Sequence, residues 1–94
     1  MVTLFVRHKV ADYTVWKKGY DAADGLRKQH GCSAHSVHRD PDDANDVIMT
    51  HRFPNLAKAR GFTDSPELRE AMGANGVQGQ PTFWFGEDLE QTGS

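Results

Sequence analysis

Paired cysteines, an excess of charge of one sign and long hydrophobic runs are all missing from this 94-residue chain. Its single cysteine, Cys32, cannot close an intramolecular disulfide and belongs to no CxxC pair, which argues against a disulfide scaffold or a paired-thiol site. The 11 basic and 13 acidic residues leave a formal charge of -2, so nothing electrostatic favours nucleic acid or an anionic membrane as a partner. The apolar segment at residues 2–6 is too short for a signal peptide or a membrane-spanning helix. We therefore expect a cytoplasmic protein.

The motifs of several large enzyme classes are also missing. The chain has no Walker A loop, no GxGxxG, no GxSxG and no HExxH, which argues against phosphoryl transfer, nicotinamide chemistry, serine hydrolysis and zinc proteolysis. The acidic residues 40–46 lack the glycine and the closing glutamate of a calcium-binding EF-hand loop, so we interpret them as a solvated turn. The length fits one compact domain, so we expect no separate cofactor domain.

The hydrophobic pattern predicts four strands and three helices. The predicted strands are residues 2–10, 32–39, 47–53 and 80–85. The predicted helices are residues 13–30, 56–62 and 66–73. Asp12, Asn55 and Ser65 are expected to cap the starts of these helices, and the first helix is expected to run unbroken to a stop at His30 and Gly31.

The order of these elements is typical of an α+β, ferredoxin-like split βαβ fold. Right-handed crossovers give a four-stranded antiparallel sheet in the order 4-1-3-2, with the helices on one face. The turn formers at residues 40–46 predict a hairpin with a seven-residue loop. We expect residues 1–86 to form the single domain and residues 87–94 to be a polar C-terminal tail.

One face of this sheet is left without helices. It would carry Phe5 and Ile48, so we expect a second copy of the chain to cover it in a homodimer. Arg7 and Arg52 should lie on neighbouring strands of the same face, where they would either pair with acidic residues of the second copy or bind an anion.

Histidines are abundant, with five in 94 residues, and four of them fall on predicted strands. If Arg39 pairs with Val47 across the hairpin, His35 lies opposite His51. Alternation along the first strand then turns His8 toward the helices as well. These three histidines are therefore expected to face one pocket between the sheet and the helices.

Three roles are open for these imidazoles. A histidine near its ordinary pKa of about 6.5 can accept and return a proton, as the enolisation of a phenol or a dicarbonyl compound requires. Two or three neutral imidazoles can instead bind a transition metal, or one can ligate haem iron, although no carboxylate or cysteine completes such a set. The third possibility is that they are hydrogen-bonded strand residues without a chemical role.

Aromatic residues supply the opposite wall of the expected pocket. Trp16 and Tyr20 lie four residues apart on the first helix, so they share one face and form a flat surface suited to a planar ligand. The same spacing is also found in an ordinary core. Met49, opposite Val37 in the predicted register, adds an apolar contact from the sheet.

Three segments resemble a known family. They are VRHKVADY at residues 6–13 followed by WK at 16–17, RDPDDAN at 39–45, and SPELREAM at 65–72. The resemblance is to the antibiotic biosynthesis monooxygenase superfamily of small dimeric α+β barrels, and it covers nearly the whole chain. It implies a homodimer whose two sheets face each other, with a small-molecule pocket in each subunit. The superfamily includes cofactor-independent monooxygenases, haem-degrading enzymes, cyclases and isomerases, so it implies the fold more strongly than the chemistry.

Together these observations predict a small-molecule pocket that needs neither an organic cofactor nor a metal. We expect a cofactor-independent monooxygenase or an isomerase/cyclase that acts on an aromatic or dicarbonyl metabolite by proton transfer. The alternative is a non-catalytic ligand- or haem-binding dimer. The predicted catalytic residues are His8, His51 and Tyr20, and the predicted substrate contacts are Trp16, His35 and Met49.

Overall fold

The structure is a computed structural model that describes residues 1–93, and its centre is a four-stranded antiparallel sheet. The strands are β1 (Val2–Val10), β2 (Ala34–Asp40), β3 (Asp43–Phe53) and β4 (Val77–Glu87). They lie in the order β2-β3-β1-β4, which is the predicted order viewed from the other edge. The predicted α+β, ferredoxin-like topology is therefore confirmed.

Four helices occur within residues 1–93, one more than the pattern predicts. They are α1 (Tyr13–Ala22), α2 (Asp24–Gln29), α3 (Leu56–Thr63) and α4 (Pro66–Ala74). The three predicted caps are confirmed, because the side chains of Asp12, Asn55 and Ser65 each accept a hydrogen bond from a backbone N–H of the first turn. No helix of the described residues is long and apolar enough to span a bilayer.

The prediction of one unbroken first helix is wrong. The chain leaves helical geometry at Ala23, with φ -90° and ψ 10°, and α2 starts at the next residue. The break interrupts the regular hydrogen-bond ladder, and the carbonyl oxygen of Tyr20 accepts a hydrogen bond of 2.8 Å from a terminal nitrogen of Arg27. A side chain of α2 thus stabilises the end of α1, which a hydrophobic period alone does not reveal.

The predicted register of the hairpin is confirmed, but the predicted length of its loop is wrong. Arg39 pairs with Val47 and His35 with His51, as expected. However, Asp40 already pairs with Asp43, so the turn is far shorter than seven residues. Lys9 of β1 binds the Asp43 carboxylate at 2.6 Å, and this ion pair and others like it hold turn-forming residues in β3. Cross-strand contacts therefore override the local turn preference of this segment.

The last strand is longer than predicted. It starts at Val77 and includes Gly79, whose φ of 68° coincides with a shift in the β1–β4 pairing between Arg7 and Lys9. A glycine expected in a loop is thus part of an irregular strand. At the other end the strand reaches Glu87, while the division into a domain of residues 1–86 and a tail of residues 87–94 stays a prediction.

The two faces of the sheet differ in character. The face under the helices is apolar and includes the fully buried Leu4, Val47 and Phe53. On the helix-free face, Phe5 and Trp84 stack with ring centroids 5.6 Å apart, and Trp84 is 45% exposed. Its alternation with Phe83 and Phe85, which are packed against the core, settles which side of β4 faces inward.

The arginines of the helix-free face have acidic partners within the same chain. Arg7 makes two hydrogen bonds to Asp46, the shorter of 2.7 Å, and Arg52 binds Asp88 at 2.8 Å. Both side chains thus have partners within one chain, and the expectation that they pair with a second copy stays a prediction. Asp88 also accepts a hydrogen bond from Thr3, so the chain just beyond β4 is attached to this face.

Candidate functional site

A cavity of about 40 Å³ lies between the sheet and the helices. Five of the six predicted site residues line it, namely His8, Trp16, Tyr20, Met49 and His51. The sixth, His35, lies outside this lining at the edge of the sheet, where its side chain is 37% exposed. The expectation that all three strand histidines face one pocket thus holds for His8 and His51, with His35 at the margin.

A chain of hydrogen bonds joins the cavity to the protein surface. The Tyr20 hydroxyl lies 2.9 Å from Nε2 of His51 and 3.1 Å from Nδ1 of His35. On its far side, Nε2 of His35 lies 3.7 Å from a carboxylate oxygen of Asp24. A hydroxyl can donate one hydrogen bond while it accepts another, so Tyr20 connects the buried imidazole to the exposed one.

The two buried members of this chain are neutral near pH 7. Burial, together with the smaller effect of the nearby positive charge of Arg27 and His35, lowers the pKa of His51 to about 3. Burial also raises the pKa of Tyr20 to about 12. The expectation of a pocket imidazole near its ordinary pKa therefore fails at His51. Its Nδ1 is buried and has no hydrogen-bond partner within the described residues.

His8 occupies a separate part of the cavity. It is 5% exposed and meets Trp16 edge-on, with ring centroids 5.7 Å apart. Burial lowers the pKa of His8, and its Nδ1 has no partner among residues 1–93. Trp16 in turn packs against Tyr20 with centroids 4.8 Å apart, so the two aromatic residues form the predicted wall. His8 is therefore a second polar group in the cavity without a connection to the surface.

Arg27 is a site residue that the sequence reasoning missed. Its side chain is only 4% exposed, lines the cavity, and holds its guanidinium carbon 3.9 Å from the centroid of the Tyr20 ring. A signal was present in the sequence, since Trp16, Tyr20, Ala23 and Arg27 recur at helical spacing on one stripe. A long charged side chain at such a position is ordinarily exposed, so the spacing alone does not identify it as a cavity residue.

A larger cleft lies next to the cavity. It measures about 570 Å³, runs between α4 and β4, and shares Leu68, Met72 and Phe83 with the cavity lining. No residue of α4 is fully buried, so this helix is a loosely packed wall. Cavities for small ligands commonly measure about 300–1,000 Å³, so a ligand needs the cleft as well as the cavity. Movement of these three side chains would join the two spaces.

Within residues 1–93, no group of three or more His, Cys, Asp or Glu side chains is arranged to hold a metal ion.

The sheet order, the helices over one face and the cavity beneath them define a ferredoxin-like α+β protein with an internal site. Residues 14–74 match the family model described as antibiotic biosynthesis monooxygenase, and the chain belongs to this family. None of the curated proteins compared with the chain matches it.

Solved structures with the same fold cover nearly the whole chain. SnoaB, a cofactor-independent oxygenase from Streptomyces nogalater, is 18% identical, with a TM-score of 0.70 over 97% of this chain and 94% of SnoaB. A protein of unknown function from Nitrosomonas europaea is 15% identical, with a TM-score of 0.74 over 99% of this chain and 93% of that one. An antibiotic biosynthesis monooxygenase is 10% identical, with a TM-score of 0.74 over 96% of this chain and 100% of that one. At these identities the likeness establishes the fold alone.

Proposed function

We propose that this protein is an enzyme that removes a proton from an aromatic or dicarbonyl metabolite, without an organic cofactor, and that His51 is the base. The observation that carries the proposal is the position of His51: the residue lines the cavity, its Nδ1 has no partner within the described residues, and its Nε2 is bonded to Tyr20. The family membership and the likeness to SnoaB, a cofactor-independent oxygenase, support chemistry of this kind.

The proton would leave the cavity through the hydrogen-bond chain. In the competent arrangement, Nε2–H of His51 donates to the Tyr20 oxygen, and the Tyr20 hydroxyl donates to Nδ1 of His35. Nδ1 of His51 takes the substrate proton while the other two protons each move one step outward. His51 and Tyr20 end neutral, and His35 becomes an imidazolium 3.7 Å from the Asp24 carboxylate. Return of the proton along the same path restores the starting tautomers.

This relay explains how a histidine with a low pKa can act as a base. Holding a full charge on His51 would cost about 5 kcal/mol, from the drop in its pKa from 6.5 to about 3. In the relay the charge forms instead on His35, which is 37% exposed and faces a carboxylate. Water and Asp24 can stabilise that charge, so the desolvation penalty at the cavity is avoided.

The remaining predicted residues have supporting roles. Trp16 and Met49 would provide the apolar walls for a planar ring, and His8 is the second group able to exchange a proton with it. The substrate anion left by proton removal supplies the electrons for dioxygen in a cofactor-free monooxygenation, or is reprotonated at another carbon in an isomerisation. His51 is preferred over His8 as the base because His51 has a hydrogen-bonded path to the surface, and the described residues give His8 no such path.

We also propose that the protein is a homodimer that pairs through its helix-free face. Phe5 and the 45% exposed Trp84 form a stacked aromatic patch there, and Ile48 lies on the same face. Apolar surface of this kind is typical of a protein interface. Since Arg7 and Arg52 are neutralised within the chain, they present little barrier to burial against a second copy.

Proton abstraction can be measured before the final product is known. We expect the wild type to catalyse exchange of the acidic C–H of β-diketones with deuterium in D₂O, followed by NMR. His51→Gln should lower the exchange rate by about 10²–10⁴-fold, the usual contribution of a general base, and Tyr20→Phe should lower it because the relay is cut. His38→Gln is the matched control, since His38 is exposed on the opposite face of β2.

Equal rates in the wild type and in His51→Gln would refute the assignment of the base. Ligand binding without any exchange in the wild type would refute catalysis and favour the alternative of a non-catalytic ligand- or haem-binding dimer. A haem titration of the same protein, read from the Soret band, then tells haem from other ligands.

A further inference from the structure

Arg27 carries a buried positive charge that its neighbours within the described residues compensate only in part. Its side chain is 4% exposed, and an arginine this deeply buried ordinarily has a carboxylate in close bidentate contact. Among residues 1–93, Asp24 is the one acidic side chain in ion-pair range of Arg27, and it lies 3.5 Å from a terminal nitrogen and is 40% exposed. Asp24 is also bound more closely by Lys28, at 3.0 Å. The negative charge near Arg27 is therefore distant and shared.

The donors of Arg27 are also incompletely used. One terminal nitrogen donates to the Tyr20 carbonyl oxygen at 2.8 Å, while Nε is buried without a partner among residues 1–93. A buried N–H without an acceptor costs free energy, so such groups usually have a role or an unseen partner. This N–H belongs to a side chain of the cavity lining. A ligand oxygen can supply the missing acceptor.

The surroundings of the guanidinium select the shape and charge of that ligand. The guanidinium lies over the Tyr20 ring at 3.9 Å, and Trp16 continues the same aromatic wall. His51, which is neutral, faces the same cavity. A flat ring that occupies the cavity together with the adjoining cleft would lie beside the aromatic wall, and a negatively charged oxygen on that ring would satisfy Arg27.

We propose that Arg27 is the anion-binding residue of the cavity, and that the cavity takes a planar ligand with an ionised enol or phenol oxygen directed at its guanidinium. The proposal deepens the proposed function, on which it rests for the identity of the site, because removal of a proton by His51 creates such an oxygen. Arg27 would hold the anion while the relay carries the proton away. It therefore determines which acidic compounds bind.

The test uses 4-nitrophenolate and its neutral isostere 4-nitroaniline. Their size and planarity match, so a difference in dissociation constant reports the charge. We expect the wild type to bind the phenolate at least tenfold more tightly than the aniline, measured by absorbance at a pH where 4-nitrophenol is ionised. Arg27→Gln, which keeps an N–H for the Tyr20 carbonyl, should weaken phenolate binding by about 10- to 100-fold and change aniline binding by less than about threefold.

Arg27→Lys should recover part of the phenolate affinity, because it restores the charge without the planar fork. If Arg27→Gln does not fold, the wild type alone still decides the question. Bound 4-nitrophenol should then ionise at a lower pH than free 4-nitrophenol, and unchanged ionisation would overturn the proposal. The proposal would also be overturned if the wild type bound both compounds equally or bound neither. It would be overturned as well if Arg27→Gln lost affinity for both compounds to the same degree.

Failure of this proposal is distinguishable from failure of the proposed function. His51→Gln should abolish C–H exchange and keep the preference for the phenolate. A phenolate preference in a wild type without exchange activity would refute the base and leave Arg27 as the anion site. Exchange activity that Arg27→Gln leaves unchanged, together with no phenolate preference, would refute Arg27 alone.

Discussion

Acidification should destabilise this protein in a pH range where its carboxylates have little influence, because His51 is buried as a neutral imidazole. Its pKa is about 3 in the folded protein and 6.5 in an unfolded chain. Between these values the unfolded state binds a proton that the folded state does not, so the free energy of unfolding falls as the pH falls. The contribution is fully present above pH 6.5 and is lost progressively toward pH 3.

The size of the effect follows from these two pKa values. Lowering the pH from about 7 to about 5 should remove about 2 kcal/mol of stability through His51, and His8, whose pKa is also lowered by burial, acts in the same direction. The pKa values of four acids, Asp24, Asp43, Asp46 and Asp88, are lowered from 3.8 by their cationic partners or hydrogen-bond donors. Their contribution disappears only as the pH falls below about 4, outside this range.

Urea unfolding followed by fluorescence at the two pH values measures the effect. His51→Gln is the matched variant, because a neutral amide can still bond to the Tyr20 hydroxyl and does not titrate. We expect the wild type to lose about 2 kcal/mol more than the variant between the two pH values, whatever their stabilities at neutral pH. If both lose the same amount, His51 is not buried in the neutral form and the proton relay loses its rationale.

Two further predictions concern packing and assembly. Gly19→Ala should destabilise the fold by about 1–3 kcal/mol, because a Cβ there would clash with the whole side-chain amide of Asn75. Gly25→Ala, with nothing within 4 Å of its Cβ, should be neutral or stabilising by up to about 1 kcal/mol, and equal unfolding midpoints of the two variants would contradict this reasoning. Trp84→Lys should raise the dissociation constant of the proposed dimer at least about tenfold, measured by sedimentation equilibrium. Val15→Lys is the control, since Val15 is exposed on α1, and it should leave the constant unchanged. An unchanged dissociation constant in Trp84→Lys would exclude the helix-free face as the interface.

Local patterns in the sequence were sufficient for much of the fold. Alternation along β1 predicted that Leu4 and His8 share the buried face, because successive side chains of a strand point to opposite sides. The pairing of His35 with His51 followed from a register anchored at Arg39 and Val47.

Most residues of the candidate site were predicted from the sequence, but the hydrogen bonds between them were not. Trp16 and Tyr20 were expected on one wall, and the structure places them there. The hydrogen-bond chain from His51 through Tyr20 to His35 was not predicted, because it depends on distances of about 3 Å between a helix and two strands. The periodicity of a sequence does not fix distances between atoms of remote elements this precisely.

By itself, the sequence determined the order of the strands, the caps of the helices and the set of side chains that face the helices, since all of these depend on residues close together in the chain or on a two-residue alternation. Only the tertiary structure decided that the first helix breaks at Ala23, that Arg27 reaches the cavity and that His51 is buried deeply enough to stay neutral. These features depend on how remote segments pack together, and burial and electrostatics follow from that packing.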